Sequence, residues 1–322
     1  MGIPLAIFTL SGHQLFGLIA SLGAFTVLYG THFVLADRLR LLPAIAMGFV
    51  AASGLGVLSA ANAWATVLCL VAVSALACII SFSFRLGPPG PMHFVLVTGI
   101  SSHLAAPIEL GGASIEPILI PALVAAGALS GYALIAAPLA LPRMRGRDGP
   151  ALSCYGLFPR LGLDLDGATI ALRVVSAVIV AGLISLLLGI HHAYWLVMVA
   201  GAVLQVSPNP QASAVRAVHR TIGTVSGAAI FGLVELAEPR GLWLVAVLAS
   251  LQCAIEIVVA RHYALALTFI TPLALTISVA GATDAPLTLA TERIADTLLG
   301  AAVAMAVLWA SSRIRPGPAK LL

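Results

Sequence analysis

The chain is 322 residues long, 61% hydrophobic and 9% charged, with a mean hydropathy of +1.09. A soluble domain carries about 25% charged residues because its surface must face water, so this composition excludes an aqueous globule and points to a bilayer. The formal charge of +4 comes from basic residues scattered in short clusters, which excludes a nucleic-acid surface and reads as a topology signal.

A helical span needs roughly 20 apolar residues, fewer where it is short or tilted. Six stretches come first: about Ile3–Leu10, Leu15–Tyr29, Leu41–Leu58, Ala63–Phe82, His93–His103 and Ile118–Leu141. A polar linker, Arg143 to Gly167, follows. Six more run about Ala168–Ile190, Tyr194–Val206, Thr221–Leu236, Leu242–Val259, Tyr263–Val279 and Leu289–Ser311. The short stretches at Tyr194–Val206 and His93–His103 could also be re-entrant or kinked. The predicted class is therefore all-α, a polytopic membrane protein of about 12 transmembrane helices. It divides into residues 1–142, a basic linker over 143–167, and residues 168–322.

Positive residues in short loops mark the cytoplasmic side. With Arg143, Arg145, Arg147 and Arg160 inside, alternation also places Arg38, Arg40, Arg85, Arg216, Arg220, Arg261, Arg313, Arg315 and Lys320 inside. Both termini are then cytoplasmic, and the opposite loops carry Glu109, Glu116, Glu235, Glu238 and Asp284. The first stretch is too short to cross, so the first span is expected to be truncated. Cys69, Cys78 and Cys253 lie in apolar spans and Cys154 in the linker; none has CxxC spacing, and all four are expected to be small buried hydrophobes.

The halves share an orientation, because each holds six spans, and Gly23-Ala24 aligns with Gly201-Ala202. A second repeat lies inside the C-terminal half. Arg220-Thr-Ile-Gly-Thr224-Val-Ser-Gly227 matches Arg293-Ile-Ala-Asp296-Thr297-Leu-Leu-Gly300, each copy preceded by a Tyr-led span from Tyr194 or Tyr263. Copies three spans apart enter from opposite faces, the inverted three-plus-three pattern of many secondary transporters, with substrate near the repeat interface.

These frames, with Tyr194-Trp195 and the run from Tyr263 to Thr271-Pro272, resemble the fusaric-acid-resistance-like family of aromatic acid exporters. That family is related to the aluminium-activated malate transporters. Gly23-Ala24 and the Pro88-Pro89-Gly90-Pro91 turn add a weaker match in the first half. The resemblance implies a bacterial inner-membrane protein that exports a small organic, aromatic carboxylate, and it leaves room for a periplasmic accessory protein. Familiar exporters of this kind carry a cytoplasmic domain after each half, where this chain has only its linker. A passive anion channel and a non-transport envelope scaffold are the other readings.

An ionisable group in hydrocarbon costs roughly 2.5–3.5 kcal/mol or more, so each needs a reason. Asp296 lies three residues from Arg293 and can pair with it on one helical face, next to Glu292. A substrate carboxylate could then compete with Asp296 for the guanidinium. Arg216 and Arg220 precede the ninth span and read first as topological anchors; Thr224, one turn on, could offer its hydroxyl to an anion near that helix N-terminus. Gln252 and Glu256 share a face of the tenth span, and Glu256 is the candidate for proton coupling, or else pairs with Arg261. Tyr194 and Trp195 read as aromatic-belt anchors that could also stack on an aromatic ring. His191-His192 lack further ligands at metal-binding spacing, so no metal or other cofactor is expected. Gly127/Gly131 and Gly223/Gly227 permit close helix contacts, which leaves a homodimer open. Lys320 is the single lysine, so no P-loop is encoded, and no nucleophile elbow or HExxH motif argues for an enzyme.

Overall fold

The computed structural model describes residues 1–140, 152–158, 161–190, 192–279 and 285–314. Arg143, Arg145, Arg147, Arg160, His191, Asp284, Arg315 and Lys320 lie outside the described residues. Within them the regular structure is all helical. The first group is α1 (Gly2–Leu10), α2 (Gln14–Ala24, prolonged by the 3-10 turn Phe25–Leu28), α3 (Leu35–Ser59), α4 (Ala63–Ser83), α5 (Met92–Ala105) and α6 (Leu119–Ala136). After the short α7 (Cys154–Leu157) come α8 (Leu165–Leu188), α9 (Ala193–Leu204), α10 (Pro210–Leu236), α11 (Leu242–Val258), α12 (Tyr263–Val279) and α13 (Pro286–Ile314).

Among the described residues six helices, α3, α4, α6, α8, α10 and α13, are long and apolar enough to cross a bilayer. The chain is a multi-pass membrane protein. Its outer faces are apolar: Leu58, Leu187, Leu298 and Trp309 are all exposed, as lipid-facing side chains are. Cys78 is buried as expected, but Cys69 is only half-buried and Cys253 is exposed on this apolar exterior.

The short stretches are explained by where they sit. α9, at 12 residues, spans only about 18 Å at 1.5 Å per residue. Nearly every residue from Tyr194 to Leu204 is buried, so it meets protein on all sides. α5 is also mostly buried. Such helices need not cover the hydrocarbon thickness, because their ends are sealed by neighbouring chain rather than lipid.

Local chemistry sets the boundaries. Asn62, Asp164 and Asn209 cap α4, α8 and α10, accepting from Ala65 N (3.1 Å), Gly167 N (2.7 Å) and Gln211 N (2.9 Å). Gly189, at φ +64°, closes α8 in the left-handed region that glycine tolerates. Pro210 follows the Asn209 cap with its φ preset for a helix. As a result α10 starts about three turns before the predicted Thr221 edge.

Packing in the two groups runs in parallel. In the first, α3 packs on α5 and α6, α2 on α6, and α4 on α5. In the second, α10 packs on α12 and α13, α9 on α13, and α11 on α12. Between groups, α4 lies on α8, α1 on α11 and α5 on α9. Glycine contacts let backbones close: a Cβ on Gly227 would sit 2.6 Å from Thr271 Cβ and 2.9 Å from the Thr268 carbonyl oxygen.

Candidate functional site

The matched frames on α10 and α13 bring two arginines into the protein interior. Arg220 is 4% exposed and Arg293 is 5% exposed. Neither is an interfacial anchor: α10 and α13 begin earlier than their predicted spans, so each frame sits inside its helix. For the same reason Thr224 is not at a helix N-terminus. Its hydroxyl lies 3.5 Å from that of Thr297, which also donates to the Arg293 carbonyl at 2.8 Å. The two threonines are buried where α10 crosses α13.

Each frame faces the Tyr-led helix of the other copy. Arg220 Nη1 donates to the Tyr263 hydroxyl at 2.9 Å, on α12. Arg293 lies 5.0 Å from the centroid of Trp195, on α9, and within electrostatic reach of Tyr194. The glycines follow the same exchange. Gly223 and Gly227 press on α12, whereas a Cβ on Gly300 would meet Val199 Cβ at 2.8 Å and the Leu196 carbonyl oxygen at 2.9 Å, both on α9.

Arg293 is incompletely satisfied. Its Nε and Nη1, and Asp296 Oδ2, are buried without hydrogen-bond partners among the described residues, as is Arg220 Nε. The expected Arg293–Asp296 ion pair is not formed among the described residues. Buried polar groups are nearly always hydrogen-bonded. A desolvated cation–π contact supplies on the order of 2 kcal/mol, but leaves those N–H donors unpaired at about 1–3 kcal/mol or more. An anion reaching Nε and Nη1 would satisfy them.

That wall is built from buried side chains. Tyr194 and Trp195 are 6% and 2% exposed, so they are not belt anchors, whose rings face the headgroups. They share a cluster with Phe231, Leu275 and Leu289, closed on the α5 side by Leu96 and Ile100. His192 stacks on Trp195 (centroids 4.7 Å, planes 16° apart) and pairs through Nδ1 with Glu292 Oε2 at 3.2 Å. His103 of α5 lies 4.7 Å from His192, ring to ring. No group of three or more His, Cys, Asp or Glu able to hold a metal occurs among the described residues.

At the other end of α9 a cavity of about 450 Å³ opens beside Ser207, Asn209, Gln211, Arg216, His219 and Tyr263. Arg216 stacks on the Tyr263 ring at 3.7 Å and donates Nε to the Ala202 carbonyl at 3.0 Å.

The structure thus gathers Arg220, Thr224, Arg293, Asp296, Tyr194 and Trp195. It does not bring Gln252 and Glu256 to them. These sit on α11, which packs on α12 and α1; Glu256 is exposed and accepts from Gln252 Nε2 at 2.7 Å. Tyr263, the direct partner of Arg220, was legible as the repeat counterpart of Tyr194 and the start of a family-like run, but not as a site residue. The His192–Glu292 pair carried no sequence signal, being far apart in the chain. Arg173, an arginine at the edge of an apolar run, was the signal for another polar tie. It is 6% exposed and donates to Ser311 Oγ at 3.0 Å and to the Pro208 carbonyl at 2.7 Å.

No solved structure matches the chain. An uncharacterized membrane protein of Bacillus subtilis, YvaC, is 32% identical over 108 residues, which cover 34% of this chain and 17% of that protein. The chain therefore spans under a fifth of the length of this curated relative. The family whose pattern does match, and which the arginine frames anticipated, is the fusaric acid resistance protein-like family, to which the chain is similar over residues 177–307, a stretch holding both arginines, both threonines and both tyrosines of the site.

Proposed function

We propose that the chain is a secondary-active transporter that exports small aromatic carboxylates across the cytoplasmic membrane, coupled to protons. The observation that carries this reading is Arg293: a guanidinium inside the membrane protein with two nitrogens unpartnered, set against the buried rings of Trp195 and Tyr194. A guanidinium suits a carboxylate in charge and hydrogen-bonding geometry. Trp195, which carries Arg293 and His192 on its ring, and Tyr194 form an aromatic wall beside the guanidinium.

Asp296 supplies the switch. It lies one turn from Arg293, is 5% exposed, and keeps one oxygen unpartnered. Ionised Asp296 competes with the carried carboxylate for Arg293 and promotes its release on the outer side; Asp296 then takes up a proton there and gives it up on the inner side as the empty carrier returns. In this scheme one proton is exchanged for each carboxylate, and Asp296 takes the role expected of Glu256. Glu292 and Arg293 on α13, and Tyr194 on α9, are the charged or titratable groups in electrostatic contact with Asp296.

The architecture in this proposal is two six-helix repeats, α1–α6 and α8–α13, each an inverted pair of three-helix units. The parallel helix packing of the two groups supports the first symmetry. The reciprocal Arg220–Tyr263 and Arg293–Trp195 contacts, meeting at Thr224 and Thr297, support the second. The matched family's description, resistance to fusaric acid, points to the same organic-acid chemistry.

The test is uptake of a radiolabelled panel of aromatic and aliphatic acids into inside-out vesicles, with and without a proton gradient. Uptake of aromatic acids that accelerates with the gradient is the expected result. Absence of uptake of every acid by folded protein would overturn the reading, and uptake following voltage alone would make the chain a channel.

A further inference from the structure

Resting on the transport reading above, we propose that the chain holds a second carboxylate-binding station, built from Arg216, Arg220 and Tyr263, on the far side of the Thr224–Thr297 contact from Arg293, so that two carboxylates bind one chain at once.

Arg220 is buried as deeply as Arg293 and likewise keeps its Nε without a partner. Its Nη1 holds the Tyr263 hydroxyl, and the Tyr263 ring in turn carries the Arg216 guanidinium at 3.7 Å. Tyr263 is thus a common wall for two cations. The cavity of about 450 Å³ that opens on Arg216 and Tyr263 is lined by Ser207, Asn209, Gln211 and His219, with no aspartate or glutamate among its described lining residues. The volume falls in the range of about 300–1,000 Å³ that small-molecule pockets occupy. Arg216 is the cation that lines the cavity, Arg220 lies behind the Tyr263 hydroxyl with its Nε unpartnered, and together with the polar lining they favour an anion, with the Tyr263 ring as an apolar wall beside it.

The two stations are neighbours: Arg220 and Tyr263 both act electrostatically on Arg293. Trp195 marks the start of α9 and Ala202, which accepts from Arg216, its end. Seven residues of helix set them on the order of 10 Å apart along the axis. The Thr224–Thr297 contact lies between the two frames. The stations share one buried arginine, one tyrosine from the other helix pair and one threonine at the common contact, but differ in that Asp296 aligns with Gly223 and Arg216 with Leu289.

The experiment is equilibrium dialysis of radiolabelled benzoate against the full chain, purified in detergent and monodisperse by size exclusion. The wild type is expected to bind two equivalents. Arg220→Gln and Arg293→Gln are each expected to bind one. Tyr263→Phe keeps the ring under Arg216 and removes only the hydroxyl, so it guards against misfolding and is expected to weaken one of the two equivalents severalfold. A single equivalent in the wild type, lost in Arg293→Gln and untouched by Arg220→Gln and Tyr263→Phe, would overturn the second station and leave the transport reading standing. Two equivalents both lost in Arg293→Gln would also overturn it. No binding by folded wild type would overturn the transport reading together with this one.

Discussion

Arg293 and Asp296 share a helix face at the spacing that usually makes an ion pair, yet buried atoms of both remain unpartnered. In lipid surroundings that state persists only if something else completes it. In a transporter, the something else is cargo for the arginine and a proton for the carboxyl. Asp296→Asn mimics the protonated carboxyl permanently. Its expected phenotype is benzoate exchange at a rate near wild type, with the acceleration by a proton gradient lost; vesicle uptake with and without the gradient reads both. Trp195 belongs to the same scale. Trp195→Leu keeps apolar bulk but removes the π face shared with Arg293 and His192. At about 0.5–2 kcal/mol for such a contact, benzoate affinity is expected to fall about 3- to 30-fold, measured by dialysis.

Helices meet here through glycines that leave no room for a side chain. Gly300 against α9 and Gly227 against α12 are equivalent positions of one frame, and neither has room for a methyl group. Gly300→Ala would force its Cβ to 2.8 Å from Val199 Cβ, an overpacking expected to cost about 1–3 kcal/mol and to lower the midpoint of thermal unfolding in detergent. The frames themselves were legible in sequence because they are local strings. Their partners were not: the exchange of α9 and α12 between the two units is a property of packing. Helix starts were misjudged for a related reason. Hydropathy marks where lipid begins, whereas Asn209 and Pro210 start α10 by capping and backbone geometry, well before the apolar stretch. The short α9 was ambiguous because burial by neighbours, which makes its length sufficient, is written in no single segment.

Across the whole molecule the two groups of helices pack alike but carry different chemistry. Arg38 near the start of α3 donates to the Tyr29 carbonyl at 3.2 Å and to the Val27 carbonyl, much as Arg216 near the start of α10 donates to Ala202. In the register that aligns Gly23-Ala24 with Gly201-Ala202, Arg220 falls on Leu42, a fully buried aliphatic residue. The α3–α5 pair is tied by Ser53–Ser101 at 2.8 Å and the α10–α12 pair by Ser226–Thr268 at 2.8 Å, so similar ties recur where Arg220 does not. Arg173 is a scaffold cation of this kind, fastening α8 to α13 and to the α9–α10 loop. Arg173→Leu is expected to lower thermal stability while the protein that remains folded binds benzoate with unchanged affinity. Composition alone revealed the membrane environment, and the two arginine frames located the functional half. The proposed role of Arg293 in binding an anion rests on seeing that Asp296 leaves it unpaired.

The most direct test compares initial uptake of radiolabelled benzoate by inside-out vesicles bearing wild type or Arg293→Gln, at equal amounts of folded protein and the same proton gradient. A charge-assisted hydrogen bond is worth about 1.5–3 kcal/mol, so the account predicts uptake at low substrate reduced about 10- to 100-fold in Arg293→Gln. Uptake by Arg293→Gln at the wild-type rate would contradict it.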